Sequence, residues 1–88
     1  MQYRIAFTPM ADRELADLPR EVQRRIARWL DLLAQDPRRE GTIKLQGHGE
    51  LRRVHAGRDY VIVYCVRDAE VLVLIVRVGH RKDVYRGL

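Results

Sequence analysis

Eighty-eight residues are the scale of one domain, spanning 1–88, and leave no room for a second core. Seventeen Lys and Arg against twelve Asp and Glu give a formal charge of +5, and only Lys44 and Lys82 are lysines. Guanidinium forks match phosphate or carboxylate bidentately, so the balance points to nucleic acid or an acidic protein, although a solvated arginine-rich surface gives the same count.

Cysteine usage and hydropathy narrow the setting. Cys65 stands alone, so no intramolecular disulfide is possible and a reducing cytoplasm is the expected location. The opening MQYRIAFTPMADREL is too polar for a secretory leader, and the longest apolar run is too short to span a bilayer. No membrane partner is expected.

Residues 2–7, QYRIAF, alternate polar and apolar and predict a strand. Thr8 then offers an N-cap, Pro9 a first helical position and Asp12 an acid in the first turn, predicting a short helix that stops near Leu18. Pro19 opens a second helix with Glu21 near its positive end. Val22, Ile26, Trp29, Leu30 and Leu33 recur at three- and four-residue steps and make one apolar stripe, until Asp36-Pro37 ends it. The period then changes. TIKLQGHGE reads as a short strand entering a glycine-rich turn, LRRVHA and DYVIVYCV as strands around Gly57, and Arg67-Asp68-Ala69-Glu70 as a turn into VLVLIVRV. The last two strands are almost continuously apolar, so both of their faces are expected to be covered. The fold expected is α+β: a small, mostly antiparallel sheet, an N-terminal αα-hairpin on one face, and a short C-terminal helical segment.

The candidate chemistry is cationic. His48, His55 and His80 have no metal-ligand spacing, Cys65 sits mid-strand among Val and Tyr, and the glycines around His48 are too few for a phosphate loop, so neither a metal nor a cofactor is expected. In LRRVHA, alternation puts Arg53 and His55 on one face. In the tail RVGHRKDVY, Arg81 and Tyr85 share a face if residues 80–86 make a helical turn. These four, with His80, describe a catalytic cluster or equally a charged, solvated rim. Cleaving RNA without metal needs such a set: a base for the 2′-OH proton, cations for the charge on phosphate, and an acid for the leaving oxygen. Histidine titrates near neutrality, and a tyrosine in a basic groove can stack on a base.

The chain resembles the RelE/ParE superfamily of toxins through YRIAFTPMADRELADLPREVQRRI, DPRREGTIKLQGHGELRRVHAGRDYVIVYCV and LVLIVRVGHRKDVYR. The ending VGHRKDVY is similar to the RelE branch. The resemblance implies a toxin that cleaves mRNA in the ribosomal decoding site and is inhibited by a cognate antitoxin in a hetero-oligomer. It places Arg53 and His55 on the branch's basic strand positions, Arg81 on its transition-state arginine and Tyr85 on its functional C-terminal tyrosine. The neighbouring cations Lys44, Arg52, Arg58, His80 and Lys82 are then expected to contact RNA. Many relatives read Asp-Tyr-Arg where this chain has Asp59-Tyr60-Val61, so one phosphate-binding arginine is missing. Two other readings stand beside the nuclease: a ParE-like inhibitor of DNA gyrase, and a nuclease-inactive protein whose groove only holds its antitoxin.

Overall fold

The two most apolar stretches of the chain lie side by side at the middle of a sheet. A computed structural model describes residues 2–88. Its elements are β1 (Arg4–Phe7), α1 (Pro9–Ala16), α2 (Arg20–Gln35), β2 (Thr42–Lys44), β3 (Arg52–His55), β4 (Tyr60–Arg67) and β5 (Leu72–His80). The strand order is β1-β5-β4-β3-β2, with β1 parallel to β5 and every other neighbour antiparallel. The expected mostly antiparallel sheet with a helix pair on one face is therefore present.

Local signals place the helix boundaries. The Thr8 hydroxyl accepts a hydrogen bond from the Ala11 amide at 3.1 Å, Pro9 opens α1, and Asp12 lies in its first turn. The helix closes at Ala16 rather than near Leu18. Gln23 of α2 donates its side-chain amide to the carbonyls of Leu15 (2.9 Å) and Ala16 (3.2 Å), satisfying the orphan acceptors there. Pro19 disfavours helical geometry at Leu18. At the other end of α2, Asp36 is extended (φ −152°, ψ 95°), as expected before Pro37.

The sheet has a packed layer on each side. On the helix side, Val22, Ile26 and Leu33 meet Val54, Ile62, Tyr64, Val73, Ile75 and Val78, with Trp29 and Leu30 half-buried around them. The phenol of Tyr64 is fully buried and donates to the carbonyl of Pro37 at 2.6 Å, so its polar end is satisfied. On the other face, Val61 and Val63 pack with Val84, and Leu45, Leu51, Val76 and Leu88 surround them. This smaller apolar layer on the other face of the same domain explains why β4 reads as a continuous apolar run.

One irregularity sets which β5 residues face which layer. Val63 pairs with Arg77 but Tyr64 pairs with Ile75, which leaves Val76 without a partner. The bulge reverses the phase of β5: Val73 and Ile75 face the helices before it, and Val78 and His80 after it.

At the far end of the sheet, Asp68 joins three segments. Tyr3 donates its hydroxyl to one carboxylate oxygen (2.8 Å), and Arg38 straddles both (3.1 and 2.9 Å). The Arg38 hydrogen bonds, followed by that of Tyr3, hold the Asp68 carboxyl below the usual carboxylate range. A carboxyl whose pKa is depressed on folding contributes stability above its unfolded pKa, and loses it as pH falls through the folded value. Lowering pH from about 5 to about 3 should therefore reduce the urea midpoint of the native protein slightly more than that of Asp68→Asn. The group is exposed, so the difference is small and shrinks further in salt.

Candidate nucleic-acid interface

Cross-strand register decides which cations meet. Arg53 lies opposite Val63 and His55 opposite Val61, while Val61 pairs on its other side with Gly79. Residues directly opposite share a face, so Arg53 and His55 stand on the side of the sheet away from the helices. Arg53 is half-buried and His55 is exposed.

The chain folds back over that same face after β5. The amides of Asp83 and Val84 both donate to the carbonyl of His80 at 2.9 Å, making a single helical turn. Beyond it the bonds tighten to three-residue turns, from Arg86 to Asp83 (3.1 Å) and from Leu88 to Tyr85 (3.3 Å). The expected C-terminal helical segment is thus a chain of turns with one α-type bond at its start. Val84 is fully buried on Val61 and Val63, and it anchors the segment by burying its side chain between Arg81 and Tyr85. The tail passes near β5 here, and a Cβ on Gly79 would lie in ordinary contact with that of Val84, at 3.9 Å.

Arg81 is held at its backbone and free at its head. Its amide donates to the Asp59 carbonyl at 2.7 Å, which ties the tail to the β3–β4 turn. Its guanidinium sits 3.8 Å from the Asp59 carboxylate, and both side chains are about half exposed (49% and 50%). Exposed pairs of this kind contribute about 0–1 kcal/mol, so the guanidinium can exchange Asp59 for a phosphate at little cost. Tyr85 is 39% exposed, which leaves an aromatic surface beside the basic tail.

A residue that sequence reading did not assign to the site holds the tail from below. Arg77 contacts Glu14 of α1 through Nε (3.1 and 3.0 Å) and Nη2 (2.9 Å), and its Nη1 donates to the Arg86 carbonyl. Glu14 also accepts from the Val78 amide at 3.1 Å. The pair is mostly shielded from water, with 14% and 24% of the two side chains exposed. Arg77 thus clamps helix, strand and tail together. We expect Arg77→Met to speed amide hydrogen exchange in residues 81–88 by at least tenfold, a free energy of about 1.4 kcal/mol. The protection of β4 should change far less.

The other candidates are elsewhere. Lys44 and Arg52 lie opposite one another and, with Arg52 opposite Tyr64, belong to the helix-side face. His80 is opposite Tyr60, also on that side, with the rings edge-on at 5.7 Å and its Nδ1 accepting from the Lys82 amide at 3.1 Å. His80, expected to converge with Arg53, His55, Arg81 and Tyr85, therefore stands on the other side of the sheet, where register and the Val76 bulge put it. Arg58 is exposed in the β3–β4 turn rather than on a strand face, and Lys82 is exposed in the tail. Val61 is on the Arg53 and His55 side but wholly buried beneath Val84.

The described residues contain no group of three or more His, Cys, Asp or Glu arranged to hold a metal, and no helix long and apolar enough to cross a membrane. What the exposed face offers is a row of basic side chains under a basic, aromatic tail.

Comparison with known proteins sets this geometry in a family. Residues 5–85 match the family described as the ParE toxin of the type II toxin-antitoxin system, parDE. Toxin RelG of Mycobacterium tuberculosis is 32% identical over 93 residues, covering 98% of this chain and 99% of that protein. Among solved structures, the archaeal RelE–RelB complex of Pyrococcus horikoshii contains a chain with 30% identity and a TM-score of 0.77, covering 96% of this chain and all of that one. The isolated RelE toxin of E. coli has 28% identity and a TM-score of 0.78, covering 89% of this chain and 83% of that one. A match over nearly the whole domain, carried by the same helix pair and five-stranded sheet, makes this chain a type II toxin of the RelE/ParE family.

Proposed function

We propose that this toxin is a ribosome-dependent, metal-independent mRNA endonuclease whose groove is built from Arg53, His55, Arg81 and Tyr85. The observation that carries the reading is the fold-back of the tail, because Val84 seats Arg81 and Tyr85 over the sheet face that bears Arg53 and His55. In this reading His55 takes the 2′-OH proton as general base, and the leaving 5′-oxygen draws its proton from solvent. Arg53 and Arg81 steady the charge gathering on the phosphate, and Tyr85 stacks on a base beside it. Relatives of known structure were solved in complexes with antitoxins. A cognate antitoxin with an acidic, amphipathic segment that covers the same cations is the expected partner here, with affinity falling as salt rises. Copurification from an operon-level expression system checks that partner.

The family description that matches the chain is that of ParE, which keeps gyrase inhibition as the second reading. Primer extension on translating ribosomes, run beside a gyrase supercoiling assay, separates the two. New 5′ ends within codons and unaffected gyrase support the nuclease. Inhibited gyrase with intact mRNA supports the other.

A further inference from the structure

On the opposite side of the sheet, where β2 and β3 form its edge, a cavity of about 200 Å³ is lined by Arg38, Lys44, Glu50, Arg52 and Val66. The volume is several times the roughly 30 Å³ share of one water, room for a phosphate group with part of its hydration.

Three features of its lining need an anion. First, Lys44 and Arg52 are directly opposite one another across the β2–β3 ladder. Like charges in that position destabilise a sheet unless something lies between them. Second, neither forms an ion pair among the described residues, although Glu50 is part of the same lining. Third, among the described residues the Arg52 guanidinium has only Thr42 as a hydrogen-bond acceptor, through Nη2, so most of its donor capacity is unmatched.

Two of the three cations are also positioned. Arg52 Nη2 donates to the Thr42 hydroxyl at 2.8 Å, and Thr42 donates onward to the Arg39 carbonyl at 2.8 Å. Arg38 is held by its bidentate bonds to Asp68. Such a frame is ordered before a ligand arrives, so little side-chain entropy remains to be lost on binding. A phosphate matches it better than a carboxylate, because its additional oxygens can meet the Arg52 guanidinium and the Lys44 ammonium together.

We infer that this cavity is a second phosphate subsite, one that grips the RNA backbone on the sheet face away from Arg53 and His55. The RNA part of the inference rests on the nuclease reading above. RNA passing round the β2 edge would have its backbone held on both faces, so the subsite adds grip and register without joining the chemistry.

The test is titration of the isotope-labelled toxin with inorganic phosphate and, separately, with a single-stranded RNA oligonucleotide, followed by amide and arginine Nε–H resonances. Both ligands should move the resonances of Lys44 and Arg52. Lys44→Gln alters only an exposed side chain, so it keeps the test open if Arg52→Gln fails to fold. With Lys44→Gln the salt slope of RNA binding should fall by about 0.7, the share of one phosphate on a single strand. An RNA response at Arg53 and His55 with none at Lys44 and Arg52 overturns the subsite and leaves the nuclease reading standing. A response to inorganic phosphate without one to RNA overturns the RNA assignment. No response to RNA on either face overturns both.

Discussion

Replacing Arg81 with alanine is expected to lower ribosome-dependent mRNA cleavage about 10²–10³-fold, the usual loss when one charge-stabilising group is removed from a reacting centre. The fold should survive. The backbone bond from the Arg81 amide to Asp59 needs no side chain, and the exposed ion pair that disappears contributes little. Val84 and Arg77 continue to seat the tail. Loss of activity should therefore come with an unchanged melting temperature and an unchanged exchange pattern in residues 81–88. Full activity at equal expression would remove Arg81 from the chemistry. A fall in activity matched by a loosened tail would make it a structural residue instead.

The second large effect is on stability. Val61→Arg would restore the arginine that many relatives carry after Asp-Tyr, and its side chain would point toward the groove. Here that position is fully buried under Val84 and next to Val63. An arginine would either bury an unpaired charge, at a cost of several kcal/mol, or push Val84 away and lift the tail with it. Both outcomes lower the melting temperature, and neither raises cleavage. Urea denaturation and cleavage rate measured on the same variant check this. An unchanged midpoint with faster cleavage would show that the groove extends down to Val61. Val61 thus serves here as an apolar anchor on which Val84 and the tail are packed.

Local chemistry made much of this fold legible. Thr8-Pro9, Pro19 and Asp36-Pro37 are short-range signals whose effects stay within a few residues, and the stripe from Val22 to Leu33 needs only the helical period. The parallel pairing of β1 with β5 left no such trace, because nothing near Arg4 names Leu72 as its partner. The site divides in the same way. Arg53 and His55 share a side by simple alternation, and Arg81 with Tyr85 stood out in a tail dense with functional groups. His80 was misplaced because its side depends on cross-strand register and on the bulge at Val76, which leave no trace in the local sequence. Glu14 gave no sign that it would hold Arg77, since the two are joined only by the closed fold.

That closing pair of strands also bears on when the toxin can first act. Among the described strands β1 comes first and β5 last, so β1 has no partner until β5 has emerged from the ribosome. The helix pair is local and can form early, but the sheet beneath it depends on contacts between the two ends of the sequence, the kind that close late and slowly. The basic tail follows β5 directly and rests on β4, the β3–β4 turn and α1. A nascent chain whose β5 has not yet emerged therefore lacks the seat on which this tail rests. The candidate site is assembled after the rest of the sheet, which gives a binding partner an interval in which to arrive.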